Sequence, residues 1–430
     1  MLRAVPGCAA QILRERHLVH FCGRTRRNPL TRETSEVISL TEEINKGDQT
    51  LRNGTGEILR RLRDDGPLSR AELARRAGIS SAGVTKITAQ LHADGLIRER
   101  EGQGHVVGRP PVGLSLVPDA RRVLAIHLGA GRLQVALGDL MLGLGPARSL
   151  EFDFAQPIRD IIAATADLAA EVLEGAGRER WKVLGVGVGV PGSVDASGRV
   201  NTHSILAGWR NVAFADAFEA ALGLPVVIAH NATAIAMAEA RYGAGRDADS
   251  ILHLFLGKGI GAGFAQTGAD ERCAPVEIGH VVVSPGGPAC RCGGHGCLER
   301  FFAEQPLREM VGDRDIPRSE LVAAAMRTDA WPAVYEHLVQ ALSTTVTLLG
   351  PERVVLGGDL NTAPDAFLEA LRRDLPPRVM PQQRARLTVE RTSLPEPVGV
   401  HGAACVALER FFYTTGPAAA SRVQRLATSA

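Results

Sequence analysis

The 430-residue chain lacks any uncharged apolar run approaching the roughly 18 residues that a membrane-spanning helix needs. Its first residues also lack a basic segment leading into an apolar core, so a secretory leader is not expected. No internal repeat is close enough to read from the residues. Cysteines are few, seven in all, and three of them crowd into eight positions, Cys290 to Cys297. Free thiols grouped in that way fit a reducing compartment and argue against a disulfide-stapled secreted domain. The chain is therefore expected to be cytoplasmic, with no membrane partner. A hydrophobic content of 45% supports full-sized cores, and the length allows up to about three compact units.

The net charge of +2 conceals an asymmetry. Residues 1–122 hold 21 Lys and Arg against 14 Asp and Glu, whereas the remainder holds 28 against 33. A basic front on an acidic body suits a DNA-reading head joined to a second domain. Arginine-rich codon usage would give the same bias without that meaning.

The thiols carry the sharpest chemical signal. Glu277-Ile-Gly-His280 is followed by Cys290-Arg-Cys292-Gly-Gly-His295-Gly-Cys297-Leu-Glu299, which offers three thiols and an imidazole. Zn²⁺ takes four such ligands in a tetrahedron, and a closed set without a vacant position is structural. A disulfide competes with this reading, but Cys290 and Cys292 are too near in sequence to pair comfortably and one thiol would be left over. Either His280 or His295 could supply the fourth ligand.

Residues 1–50 carry scattered arginines and little apolar periodicity, and read as a poorly ordered extension. Three short amphipathic segments follow, beginning at Glu57, Ser69 and Ser80. Ser69 with Glu72 forms a capping box, Gly78 ends the second helix, and Ser80 or Ser81 caps the third. Ile79, Val84, Ile87 and Leu91 form its buried face, leaving Ser81, Thr85, Lys86 and Gln90 open. Arg98-Glu-Arg100, a Gly-rich tip and Gly108-Arg109-Pro-Pro-Val-Gly-Leu114 then read as a two-stranded wing. Residues 51–118 are thus expected to be a winged helix-turn-helix, with Ser80, Ser81, Thr85, Lys86, Gln90 and Arg109 facing double-stranded operator DNA.

From Val123 onward strands alternate with helices. Val123–Leu128, Val183–Val190, Val226–Ala229, Ile251–Leu256 and Arg353–Leu356 read as buried strands. Pro157–Leu173, Ala213–Leu222, Ala232–Tyr242, Ser319–Met326 and Ala333–Leu349 read as helices. This is an α/β body over residues 119–412, followed by a tail over 413–430. Gly-rich turns at strand ends in both halves suit two lobes with a cleft between them.

These residues resemble the ROK family of repressors, open reading frames and kinases. The resemblance spans about residues 55–412 and rests on Glu277-Ile-Gly-His280, the cysteine loop, Gly189-Val-Pro-Gly192, Gly257-Lys-Gly-Ile-Gly-Ala-Gly263 and Val354-Val-Leu-Gly-Gly358. It implies a two-lobed, actin-like ATPase fold of the sugar-kinase type, favours His280 as the fourth zinc ligand, and assigns sugar hydroxyls to Glu277 and Glu299. Ionised carboxylates accept strong hydrogen bonds from hydroxyls, although the two glutamates could instead only orient the metal ligands. Family kinases read Asp-x-Gly-Gly-Thr after the first strand, where this chain has His127-Leu-Gly129-Ala-Gly131. They read Asn-Asp-Ala-Asn where this chain has His230-Asn231-Ala232-Thr233. Asn231 thus replaces the catalytic base, and an amide can hydrogen-bond a hydroxyl but not take its proton. His230 adds an imidazole whose ordinary pKa is near neutrality. Gly129, Gly259, Gly261, Gly357 and Gly358 are expected to be vestiges of a nucleotide site.

The expectation is a transcriptional regulator, most simply a repressor, working as a homodimer or homotetramer. It would bind operator DNA with the head and sense a carbohydrate through Asn231, Glu277, His280 and Glu299. The alternative is a zinc-containing, ATP-dependent sugar kinase.

Overall fold

A computed structural model describes residues 54–100, 113–129, 131–153, 155–203, 207–268 and 271–414. The head comprises α1 (residues 54–64), α2 (Arg70–Ala77), α3 (Ser81–Ala93), β1 (Ile97–Arg100) and β2 (Gly113–Leu116). Its helix ends follow from local chemistry. The Ser69 hydroxyl accepts from the Glu72 N–H, and the Glu72 carboxylate accepts from the Ser69 N–H at 2.9 Å. A cap of this kind stabilises a helix by about 1 kcal/mol. Gly78 ends α2 at φ 65°, and Ser80 caps α3. Val84, Ile87 and Leu91 are buried as expected, whereas Ile79 lies ahead of the helix and is half-buried. The wing strands run antiparallel from Ile97↔Leu116 to Arg100↔Gly113. Arg109 and the rest of 101–112 lie outside the described residues, as do 1–53.

The first lobe contains β3 (Arg122–Leu128), β4 (Arg132–Asp139), β5 (Arg148–Glu151), α4 (Ile158–Gly175), β6 (Val183–Val190), a small ribbon of β7 (Ser193–Val194) and β8 (Asn201–His203), α5 (Phe214–Leu222), β9 (Val226–His230) and α6 (Asn231–Tyr242). The second contains β10 (Ser250–Leu256), β11 (Ile260–Gln266), β12 (Arg272–Val276), α7 (Glu304–Val311), α8 (Arg318–Ala325), α9 (Trp331–Leu349), β13 (Arg353–Gly358), α10 (Asp365–Asp374), α11 (Pro381–Arg384), β14 (Thr388–Arg391) and α12 (Val398–Leu408). The two five-stranded sheets have the orders β5-β4-β3-β6-β9 and β12-β11-β10-β13-β14. In each, an antiparallel meander leads into two parallel strands. The lobes therefore repeat one topology that the residues do not reveal as a sequence repeat.

Each lobe lends its last helix to the other. Helix α6 leaves the first sheet and packs on β10 and β11, whereas α12 leaves the second sheet and packs on β3 and β6. Glycine makes both contacts possible: a Cβ at Gly263 would lie 2.2 Å from the Ala232 carbonyl, and one at Gly187 would lie 2.0 Å from that of Ala403. The sequence pattern misses α12 because all its residues are buried, so it presents no polar face to give a helical period.

The head is not a separate bead. Ile58, Leu59 and Leu62 of α1 share one core with Leu140, Leu408, Phe412 and Tyr413. Burying each such side chain is worth about 1.5–3 kcal/mol. Tyr413, which the sequence places in the tail, is fully buried and donates its hydroxyl to the Leu140 carbonyl at 2.6 Å. Arg63 of α1 reaches Glu409, just beyond α12, at 2.5 Å, and Arg241 of α6 reaches the same Glu409 oxygen at 3.0 Å. The turn after β4 holds Leu142 at φ 66°, a left-handed conformation that costs about 1–2 kcal/mol. The Asp139 carboxylate fixes that turn by accepting from the Met141 and Gly143 N–H groups, each at 2.8 Å.

Candidate functional site

The cysteine loop closes on itself. His280 ends a short turn over Ile278–His280, Cys297 precedes another over Leu298–Arg300, and the Leu298 N–H donates to the Val281 carbonyl at 2.9 Å. One ligand atom from each of His280, Cys290, Cys292 and Cys297 lies within 4.8 Å of all the others. The Cys292 and Cys297 sulfurs are 3.6 Å apart, and Cys290 Sγ is 3.7 Å from His280 Nδ1. Disulfide sulfurs would be about 2.05 Å apart. Ligands about 2.0–2.3 Å from a shared tetrahedral ion would be separated by roughly 3.5–3.8 Å. The set therefore fits a metal ion, with His280 in the cluster and His295 outside it. Gly296 is required because a Cβ there would lie 1.7 Å from the Ser284 carbonyl. The loop sets Glu277 and Glu299 in the two turns that it ties together.

Between the lobes, polar groups collect without partners. His127, at the end of β3, pairs across the sheet with Gly189, which pairs in turn with Ala229. A Cβ on Gly189 would lie 2.5 Å from Asn231 Oδ1, and one on Gly399 would lie 2.5 Å from the His127 ring. The two positions that depart from the kinase pattern thus adjoin, beside the first turn of α12. Asn231 donates Nδ2 to the Leu128 carbonyl at 2.9 Å, while its Oδ1 is buried and unpartnered. Nδ1 of His127, Nδ1 of His230 and Oγ1 of Thr233 are likewise buried without partners. Burial pushes the His127 pKa down to about 4. It lowers that of His230 as well, against the opposing charge of Glu277. Its shift is away from the charged form that the sequence reading allowed near neutrality. Glu239, further along α6, has a structural setting: it is fully buried and accepts from the Thr392 hydroxyl and the Ala244 N–H.

The glycine sets divide. Gly257-Lys258-Gly259 forms the tip of the β10–β11 hairpin, where a Cβ on Gly259 would lie 2.6 Å from Glu299 Oε2 and one on Gly131 would lie 3.0 Å from Lys258 Nζ. The tip thus stands between Glu299 and the Gly129–Gly131 turn. Gly261 lies within β11 opposite Phe255, in the strand rather than the loop. Gly357 packs against His253, Gly358 sits at φ 61°, and Asp359 beyond them pairs with Arg318 at 3.0 Å.

On the head, Ser80, Ser81, Thr85, Lys86 and Gln90 are all exposed along one side of α3. Ser80 accepts from the Gly83 N–H at 3.2 Å, Thr85 donates to the Ser81 carbonyl at 2.8 Å, and Gln90 donates to Asp94 at 3.0 Å. Lys86 extends from the middle of this face. Arg98 and Arg100, exposed on β1, add positive charge that the sequence-based selection omits. The selection also omits Arg63 and Glu409, which are 346 positions apart. No local sequence pattern could join them.

A profile of the ROK family matches residues 123–410. The chain belongs to the ROK family. Residues 55–98 of this ROK protein match a winged helix-turn-helix DNA-binding profile. The DNA-binding transcriptional repressor Mlc of Escherichia coli K12 is 27% identical over 383 residues, covering 84% of this chain and 94% of its own. A glucokinase of Thermotoga maritima is 30% identical over 279 residues, covering 58% of this chain and 86% of its own. The crystal structure of a ROK family transcriptional regulator homologous to E. coli Mlc superposes with a TM-score of 0.72 at 22% identity, covering 87% of this chain and 99% of that one. The repressor matches thus extend beyond the kinase-like body. Among the described residues, no helix is long and apolar enough to cross a membrane.

Proposed function

We propose that this ROK protein is a cytoplasmic transcriptional repressor that reads operator DNA with α3 and the wing and senses a sugar in the interlobe cleft. The observation that carries the reading is α12. Its first turn lies against His127 in the cleft, and the segment that follows it packs into the core of α1 in the head. A ligand that favours one arrangement of α12 over another would change how the head is held.

In this reading Ser81, Thr85, Lys86, Gln90 and Arg109 meet DNA, while the Ser80 hydroxyl serves the helix cap. Two copies related by a two-fold axis, in a homodimer or homotetramer, would engage half-sites a whole number of helical turns apart. Glu277 and Glu299 accept from sugar hydroxyls, Asn231 Oδ1 accepts a further one, and His280 links the ligand to the metal centre. Zn²⁺ held by His280, Cys290, Cys292 and Cys297 acts as a structural crosslink that fixes the turns carrying both glutamates. Gly129, Gly259, Gly261, Gly357 and Gly358 are vestiges of a nucleotide site.

The test is fluorescence anisotropy on DNA from upstream of the protein's own gene, at fixed salt, with and without a panel of sugars and sugar phosphates. Specific binding that one sugar shifts is expected. Binding no tighter than to random DNA, with or without sugars, would sink the proposal. The glucokinase match keeps a sugar-kinase reading alive, and a coupled ATP-consumption assay on the same panel separates the two. With His127 and Asn231 in place of carboxylates, no sugar-dependent ATP consumption is expected, since loss of a general base costs roughly 10²–10⁴ in rate.

A further inference from the structure

A cavity of about 620 Å³ opens where the head meets the body, and its lining includes none of His127, Asn231, Glu277, His280 and Glu299. Domain junctions are common places for small-molecule sites, and the volume is within their usual range of about 300–1,000 Å³. One wall is apolar, with Leu142, Leu144 and Leu394 on it, and Met141 beside them is 37% exposed. The left-handed turn at Leu142, clamped by Asp139, brings Met141, Leu142 and Leu144 to the lining. Such a strained backbone in a cavity wall is the kind of feature that accompanies ligand sites.

The lining also carries three arginines, Arg63, Arg241 and Arg246. Arg63 is balanced by Asp64 and Glu409, and Arg241 by Glu271 and Glu409. Arg246 is different. It is exposed, donates to the Asp64 carbonyl at 3.0 Å near the C-terminal end of α1, and among the described residues forms no close ion pair, although the carboxylate of the neighbouring Asp247 feels its charge. Glu396, also on the lining, has its carboxylate engaged by the Val398 N–H at 3.2 Å.

We propose that this junction is a second ligand site, for a small monoanion with an apolar body, such as an aromatic carboxylate, whose charge pairs with Arg246 and whose body lies on Leu142, Leu144 and Leu394. A dianion is disfavoured by Glu396 on the lining and because Asp64 and Glu409 already pair with Arg63. An occupant would touch α1 directly, since Arg246 holds the carbonyl of Asp64.

The test titrates 2-naphthoate, its uncharged isostere 2-naphthamide, and inorganic phosphate into the full-length protein by isothermal calorimetry, with thermal shift in parallel. Saturable binding of naphthoate is expected, with the amide and phosphate each at least tenfold weaker. Arg246→Ala should lose tenfold or more in naphthoate affinity, and Arg246→Lys should recover part of it. Leu144→Trp, which fills the cavity and leaves Arg246 in place, should also block binding. Calorimetric silence with naphthoate, equal binding of the amide, stronger binding of phosphate, or undiminished binding by Arg246→Ala would each overturn the assignment. None of these outcomes depends on whether the cleft binds a sugar.

Discussion

Glu409 is the residue on which the joint between head and body depends, and its replacement by Gln gives a calculable result. Its side chain is only 11% exposed, and one of its oxygens receives Arg63 from the head and Arg241 from α6. The Arg63 guanidinium also lies over the Tyr413 and Tyr242 rings, 4.6 and 5.5 Å from their centroids. Glu409→Gln leaves two buried cations facing each other without the anion they share. Breaking a buried pair in this way costs about 3–5 kcal/mol. Arg63→Met is milder, at about 2 kcal/mol, because Glu409 keeps Arg241 and the loss is mainly the stacking on the rings. Combining the two changes removes one cation with the anion and leaves Arg241 balanced by Glu271. The double variant should therefore lose less than the two single losses added together, with a coupling energy of about 1–3 kcal/mol. Urea unfolding followed by far-UV circular dichroism measures all four corners of the cycle. Fluorescence is a poor probe of the head, because Trp181, Trp209 and Trp331 all lie in the body. A Glu409→Gln cost below about 1 kcal/mol, or additive losses in the double variant, would refute the reasoning.

Metal analysis of the purified protein should find one zinc per chain, and Cys290→Ser should lower both zinc content and Tm; a metal-free protein of unchanged Tm would contradict a structural role for the cluster. His127 and His253 are both buried, which pushes each pKa down to about 4 from an ordinary 6.5. Between those pH values the unfolded chain binds more protons than the folded one, so the stability these residues confer is complete above about pH 6.5 and declines as pH falls toward 4, by about 1.4 kcal/mol per pH unit for each. The gap between the unfolding free energies at pH 7.5 and 5.5 should accordingly narrow by about 1 kcal/mol in His253→Leu, with the share of His127 retained, and an unaltered pH dependence would count against the buried neutral imidazole. Lys86→Ala should weaken operator and random DNA about equally and reduce the salt slope by roughly 1, whereas a loss confined to the operator would make Lys86 a base-reading residue instead.

Much of the local chemistry is legible in the residues. The Ser69–Glu72 capping box, the Gly78 stop and the open face of α3 depend on groups three or four positions apart, and short-range geometry decides them. The same holds for Cys290, Cys292 and Cys297, whose spacing leaves little room for another arrangement. His280 could be preferred over His295 only through the resemblance, since both lie near the thiols in sequence; the choice is made by the bridge that brings Val282 to Cys297. The lowering of the His230 pKa was hidden for a similar reason, because the burial that causes it is a property of everything packed around the ring.

The amino-acid sequence by itself determined the family, the winged head, the thiol set and the absence of carboxylates at positions 127 and 231. Each is a matter of residue identity or of neighbours within one turn or loop. Only the tertiary structure decided that α6 and α12 are exchanged between lobes, that the two departures from the kinase pattern adjoin at Gly189, and that Arg63 meets Glu409 across 346 positions. Those contacts arise from close packing of distant segments, where a glycine that admits a helix backbone or a buried charge that finds its partner has no signature in the chain on either side of it.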